Sequence, residues 1–175
     1  HYFRDLDLYY SNKLLNGFKV FTKDAIRSRL IKALEKYQSN EIMLIGHSMG
    51  TIIAYDVLTN CANDIFVDTL ITVGSPLGLP IIRGKILKEK PSHVKLTVPD
   101  NVKQHWYNFS DLRDKVAFDF SLADDFHPSK KNIGITDFEV TNNYSINEEI
   151  NPHKVYGYLR TPQLAEVVDQ FLMDG

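Results

Sequence analysis

The chain has 175 residues, 43% of them hydrophobic, enough to bury one sizeable core and to read as a single domain over residues 1–175. Its net charge of −2, with both signs mixed along the sequence, argues against a nucleic acid or other polyanion as partner. A single cysteine, Cys61, excludes an internal disulfide, and no apolar stretch approaches the length needed to span a membrane.

Residues 1–23 read as a lead-in, with Asp5, Leu6, Tyr9 and Tyr10 as the run-up to a helix. Ile26, Leu30, Ala33, Leu34 and Tyr37 then recur at helical spacing and predict an amphipathic helix near 24–38. An apolar run, Ile42-Met43-Leu44-Ile45, predicts a strand. It meets Gly46-His47-Ser48-Met49-Gly50, a G-x-S-x-G pentapeptide, and Thr51 to Leu58 continues as a helix that carries on to Cys61, expected as a small buried residue.

Strand, sharp turn and helix in that order are the context in which G-x-S-x-G becomes a nucleophile elbow. Glycines at 46 and 50 are expected to let strand and helix approach closely, while the turn aims the Ser48 hydroxyl outward. The helix directs its first amides and the positive end of its dipole at an oxyanion formed there, with the Met49 N–H as one donor. A tight turn whose serine caps the helix is the plain alternative; the flanking strand and helix favour the nucleophile.

Further strands are expected at Leu70–Val73, Trp106–Phe109 and Thr136–Thr141. Between the first two, residues 79–104 mix apolar and basic positions and read equally well as a cap over the site or as a surface insertion. A last helix starts at Thr161 and Pro162 and carries the apolar stripe Leu164, Val167, Val168, Phe171, Leu172. Alternating strands and helices predict an α/β fold, a mostly parallel sheet with helices on both faces.

A serine hydroxyl needs a base, and an imidazole base needs an acid to fix its tautomer. Asp114, in the loop after the Trp106–Phe109 strand, is the best acid; Asp111 is a near rival and Asp119 a weaker one. His153 follows the last strand and precedes the last helix, far enough beyond Asp114 for further elements between them. His127 lies too close to the acid, His47 is expected to pack beside the turn, and His1, His93 and His105 fall outside the required slots. The Asp124-Asp125-Phe126-His127 cluster lacks a recognised ligand spacing, so no metal is expected. Gly74-Ser75-Pro76-Leu77-Gly78 repeats the serine between glycines, but Pro76 has no N–H for an oxyanion, and Ser75 reads as structural.

With these segments, Leu44–Thr51, Leu70–Gly78, Trp106–Val116 and Asn151–Leu159, the chain resembles the α/β-hydrolase superfamily, and within it lipase- or esterase-like serine hydrolases of bacterial type. The resemblance implies Ser48 as nucleophile, Asp114 as acid, His153 as base and the Met49 N–H as oxyanion donor. It further implies a carboxylic ester or thioester substrate, small-molecule or lipid, and no cofactor. The departure is at the front, where residues 1–23 hold no strand with a glycine-rich loop to supply a second oxyanion donor. The expectation is therefore a cytoplasmic chain lacking some N-terminal strands of a longer protein. The competing expectation is a non-catalytic hydrolase-like domain that binds a lipid or protein partner.

Overall fold

The computed structural model describes residues 2–11, 14, 21–61 and 64–174. Of the expected lead-in, residues 1, 12, 13 and 15–20 lie outside the described residues. In chain order the elements are α1 (Tyr2–Tyr10), α2 (Thr22–Tyr37), β1 (Met43–His47), α3 (Met49–Asn60), β2 (Val67–Val73), α4 (Pro80–Lys88), β3 (Val102–Ser110) and β4 (Ile135–Glu139). Two short strands, β5 (Ser145–Ile146) and β6 (Glu149–Ile150), and the helices α5 (Val155–Tyr158) and α6 (Pro162–Asp174) complete the chain.

The first four strands form one parallel sheet in the order β1-β2-β3-β4, and helices cover both of its sides, as the alternation of elements predicted. Parallel strands covered on both faces read as nearly continuous apolar runs. Strand β2 shows this best: all seven of its residues are buried. Alternate side chains diverge to two clusters. Leu70, Val102 and Trp106 join Leu6, Tyr9, Leu34, Ile52 and Ile82 from α1 to α4, whereas Ile71, Val73 and Phe109 join Tyr158, Leu164 and Val167 from α5 and α6. Each such fully buried Leu, Ile or Phe contributes about 1.5–3 kcal/mol through loss of apolar surface from water.

Several boundaries differ from the sequence expectation for tertiary reasons. The Tyr2–Tyr10 segment is a helix of its own rather than a run-up, because it turns Leu6 and Tyr9 into the core. In α2 only Leu34 of the stripe is fully buried, with Ala33 and Tyr37 exposed. Strand β3 begins at Val102, earlier than its aromatic run, because Val102 pairs with Val67 across a local irregularity in register. In the last helix Leu164 and Val167 are buried, but Leu172 is 69% exposed. The Thr161 hydroxyl donates to the Tyr158 carbonyl at 2.7 Å. Helix α4 buries Ile82 and Ile86 and leaves Ile81 and Leu87 exposed. Cys61 ends α3 only half-buried, with burial pushing its thiol above the usual value.

One polar network fixes the orientation of the helix behind Ser48. Asp56, on α3, accepts two hydrogen bonds from the Arg27 guanidinium of α2, at 2.8 and 2.6 Å, one from Asn60 at 2.8 Å, and one from the Tyr9 hydroxyl of α1. A buried carboxylate without such partners would cost several kcal/mol in desolvation. Here three helices converge on it.

Candidate active site

The four parallel strands deliver their following loops to one edge of the sheet, the edge at which open α/β sheets carry their sites. The parallel hydrogen bonding continues past the strand ends: Ser48 N–H donates to Val73 O at 3.2 Å, Gly74 N–H to Phe109 O at 3.0 Å and Val140 N–H to Ser110 O at 2.9 Å. Each loop thus leaves the sheet in register with its neighbour.

Ser48 occupies the one-residue junction between β1 and α3 with φ 54° and ψ −127°. Such a conformation costs a non-glycine residue about 1–3 kcal/mol and persists only where its surroundings enforce it. Gly46 is part of that enforcement, since a Cβ there would lie 3.2 Å from the Thr51 backbone. Gly50 is not: a Cβ on it would meet nothing within 4 Å, so the expected need for close approach holds at position 46 only. The Ser48 carbonyl accepts from the Thr51 hydroxyl at 2.7 Å and the Thr51 N–H at 3.0 Å.

Ser75 enters the same network. Its Oγ lies 2.9 Å from Thr51 Oγ1 and accepts from the Leu77 N–H at 3.2 Å. Because the Thr51 proton goes to a carbonyl, which can only accept, the Ser75 proton goes to Thr51. The order is Leu77 N–H to Ser75, Ser75 to Thr51, Thr51 to the Ser48 carbonyl.

The structure brings Ser48, His153 and Asp114 together. His153 Nε2 lies 2.9 Å from Ser48 Oγ, and His153 Nδ1 lies 2.8 Å from Asp114 Oδ2. The Asp114 side chain is fully buried while the imidazole is 28% exposed. Burial pushes the Asp114 carboxyl up, but hydrogen bonds from His153, from the Tyr158 hydroxyl at 2.8 Å and from the Val116 N–H at 2.9 Å outweigh it and hold the group below the ordinary carboxylate range. An ionised Asp114 keeps the proton on Nδ1, which leaves the Nε2 lone pair facing the serine. Gly74, whose φ is +54°, packs against both, since a Cβ on it would lie 2.9 Å from Asp114 Oδ2 and 3.3 Å from His153 Nδ1.

The rivals have other partners. Asp111 accepts from Arg113 at 2.7 and 3.0 Å and from the Asn142 N–H at 2.6 Å, so both its oxygens serve the loop. Asp119 lies against Gly78. His47 places Nε2 2.8 Å from the His153 carbonyl, with its ring 4.8 Å from the His153 ring. His105 stacks on Tyr107, and His127 pairs through its backbone with Leu96 and Val98. Asp125 pairs with Arg83 rather than with His127, and among the described residues no group of three or more His, Cys, Asp or Glu side chains is arranged to hold a metal ion.

Sequence reasoning missed Tyr158 and Asn142. Tyr158 donates to the oxygen of Asp114 that also faces His153, and accepts from the Asp111 N–H at 3.2 Å. Asn142, also fully buried, donates to the carbonyls of Pro152 and Lys154 at 2.7 and 2.8 Å. Neither residue type signals such a role locally; only the approach of distant loops reveals it.

A parallel sheet flanked by helices, with a serine on the strand-to-helix turn, is the architecture of the α/β-hydrolase superfamily in its lipase-like branch. Within that class, residues 5–168 match the model of the PGAP1-like alpha/beta domain, and the chain belongs to that family. Membership marks a hydrolase-type function. No curated protein and no solved structure matches the chain. Among the described residues no helix is long and apolar enough to cross a membrane.

Proposed function

We propose that the chain is a serine hydrolase that cleaves carboxylic ester or thioester bonds through an acyl-enzyme on Ser48. His153 Nε2 takes the hydroxyl proton as Ser48 Oγ attacks the substrate carbonyl, and the ionised Asp114 stabilises the imidazolium. The tetrahedral oxyanion is met by the Met49 N–H at the N-terminus of α3. His153 returns the proton to the leaving alkoxide or thiolate, and the acyl-enzyme forms. Water, deprotonated by the same imidazole, then cleaves the Ser48 ester and releases the acid.

The observation that carries this reading is the pair of contacts at 2.9 and 2.8 Å through one imidazole, with the serine on a strained turn. Both distances lie in the range in which a general base works. The substrate is a small-molecule or lipid ester with an apolar acyl part, for which the exposed Leu112 and Phe118, close to Asp114 in sequence, and Tyr156, close to His153 in sequence, offer apolar surface.

A fluorophosphonate probe tests the proposal. Wild type is expected to be labelled at a single serine, and Ser48→Ala to lose the label together with ester hydrolysis, kcat falling by about 10⁶-fold. Absence of labelling in wild type would favour a non-catalytic, partner-binding domain.

A further inference from the structure

The base sits on a turn, residues 151–154, between β6 and α5, outside regular structure. A turn of this kind does not by itself hold an imidazole to within a few tenths of an ångström of two partners, yet a base displaced by about 1 Å can lose about 10²-fold in rate. Something must fix the segment.

Three consecutive carbonyls in that turn are held by side chains from elsewhere. Asn142 Nδ2 donates to Pro152 O at 2.7 Å and to Lys154 O at 2.8 Å, one bond on each side of His153. The His153 carbonyl itself lies 2.8 Å from His47 Nε2, and since a carbonyl only accepts, that nitrogen carries the proton. Burial holds the His47 pKa below its ordinary value, consistent with a neutral ring of this tautomer.

Asn142 is itself pinned. It is fully buried, its Oδ1 accepts from the Tyr144 N–H at 3.1 Å, and its own N–H donates to Asp111 Oδ2 at 2.6 Å. Position 157 leaves room for it, because a Cβ there would overlap Asn142 Oδ1 at 1.5 Å. Through Asp111 and Tyr158 the same network reaches Asp114 Oδ2. The acid loop and the base turn are therefore joined at one buried amide. His47, for its part, directly precedes Ser48 and so ties the base turn to the nucleophile's own strand.

We propose that Asn142 and His47 are positioning residues that hold the carbonyls of Pro152, His153 and Lys154 in succession and thereby set the reach of the His153 imidazole to Ser48 Oγ and Asp114 Oδ2. The inference rests on the Ser48–His153–Asp114 reading above. A merely structural role would lower stability and leave turnover of the folded protein untouched; a positioning role lowers kcat and leaves KM nearly unchanged.

The test compares wild type with Asn142→Asp, which restores at most one of the two donated bonds at nearly constant shape, and with His47→Ala and His47→Gln. Hydrolysis of p-nitrophenyl butyrate gives kcat and KM, fluorophosphonate labelling gives the reactivity of Ser48, and proton NMR reads the downfield Nδ1–H of His153. Asn142→Asp is expected to lower kcat by about ten-fold or more with KM within about two-fold, to slow labelling in proportion, and to weaken or shift the downfield proton. His47→Ala is expected to do the same less strongly, and His47→Gln, which keeps an N–H within reach of the carbonyl, to recover most of the loss.

Folded Asn142→Asp with wild-type kcat and an unmoved proton signal would overturn the proposal, as would His47→Gln no better than His47→Ala. Should Asn142→Asp fail to fold, the half-buried His47 pair decides the outcome. Wild type that resists the probe overturns the triad reading and this inference with it. Wild type that is labelled, with variants labelled as fast, overturns this inference alone.

Discussion

Asp56 and Asp114 are both buried carboxylates, both held below the ordinary range because hydrogen bonds outweigh the burial that pushes them up. Their partners differ in kind. Asp56 has the permanent charge of Arg27 at 2.6 Å, with Tyr9 and Asn60 completing its coordination. Asp114 is held by Tyr158, the Val116 N–H and His153, and among the described residues no Lys or Arg pairs with it. A buried carboxylate sealed by a guanidinium has nothing left to stabilise. Under the proposed mechanism Asp114 gains its cation only when His153 accepts a proton, which is the moment at which acyl transfer requires a stabilising charge.

The largest expected effect comes from removing each charge in turn. Asp114→Asn should lower kcat by about 10⁴-fold at a smaller cost in stability than Asp56→Asn, since the amide favours the wrong tautomer of His153 but leaves no buried guanidinium unpaired. Asp56→Asn should do the reverse, leaving Arg27 and Tyr9 facing a neutral group and costing about 3 kcal/mol of stability with kcat of the folded protein nearly unchanged. Steady-state ester hydrolysis and urea unfolding separate the two. Loss of kcat in a folded Asp56→Asn would break the comparison.

Acid sharpens it. A carboxyl whose folded pKa is depressed contributes stability that is complete above its unfolded value, about 3.9 for Asp, and disappears as pH falls through the folded value. With Asp56, Asp111 and Asp114 all depressed, the urea midpoint of wild type should fall steadily below about pH 4. In Asp56→Asn that fall should be shallower. Equal slopes in the two proteins would show that Asp56 contributes nothing in this window.

Smaller effects are expected from two glycines in the site's backbone. Gly74→Ala places a Cβ at positive φ and against Asp114 Oδ2, and should cost about 1–3 kcal/mol and lower kcat. Gly50→Ala meets open space within a helix and should raise stability by about 0.4–1 kcal/mol. Thermal melting of the pair checks both signs.

What the sequence made legible was local. A strand, a G-x-S-x-G turn and a helix are contiguous, so the elbow could be read from twenty residues, and the parallel sheet from the alternation of apolar runs. The choice between Asp111 and Asp114 was not legible to the same degree, because both follow the same strand, and what occupies Asp111 is its near neighbour Arg113 together with Asn142, which approaches from a distant loop. The hairpin of β5 and β6 was missed for a chemical reason. Its turn places Asn147 and Glu148 at φ 50° and 66°, a pair of left-handed residues usually announced by Asn-Gly, and glutamate conceals it. Gly50 illustrates the opposite error, a motif position credited with a steric duty that only its partner Gly46 performs.

Under the proposed mechanism, the hydroxyl chain from Leu77 through Ser75 and Thr51 to the Ser48 carbonyl accounts for a difference in reactivity between two serines set between glycines. Ser75 has its hydrogen committed to Thr51 and one of its two lone pairs engaged by the Leu77 N–H, and at 1% exposure it has neither a base nor access for an electrophile. Ser48 keeps its oxygen for the imidazole and lends only its carbonyl to the chain. On that reading, selectivity between near-identical alcohols arises from which of them has a base as its partner.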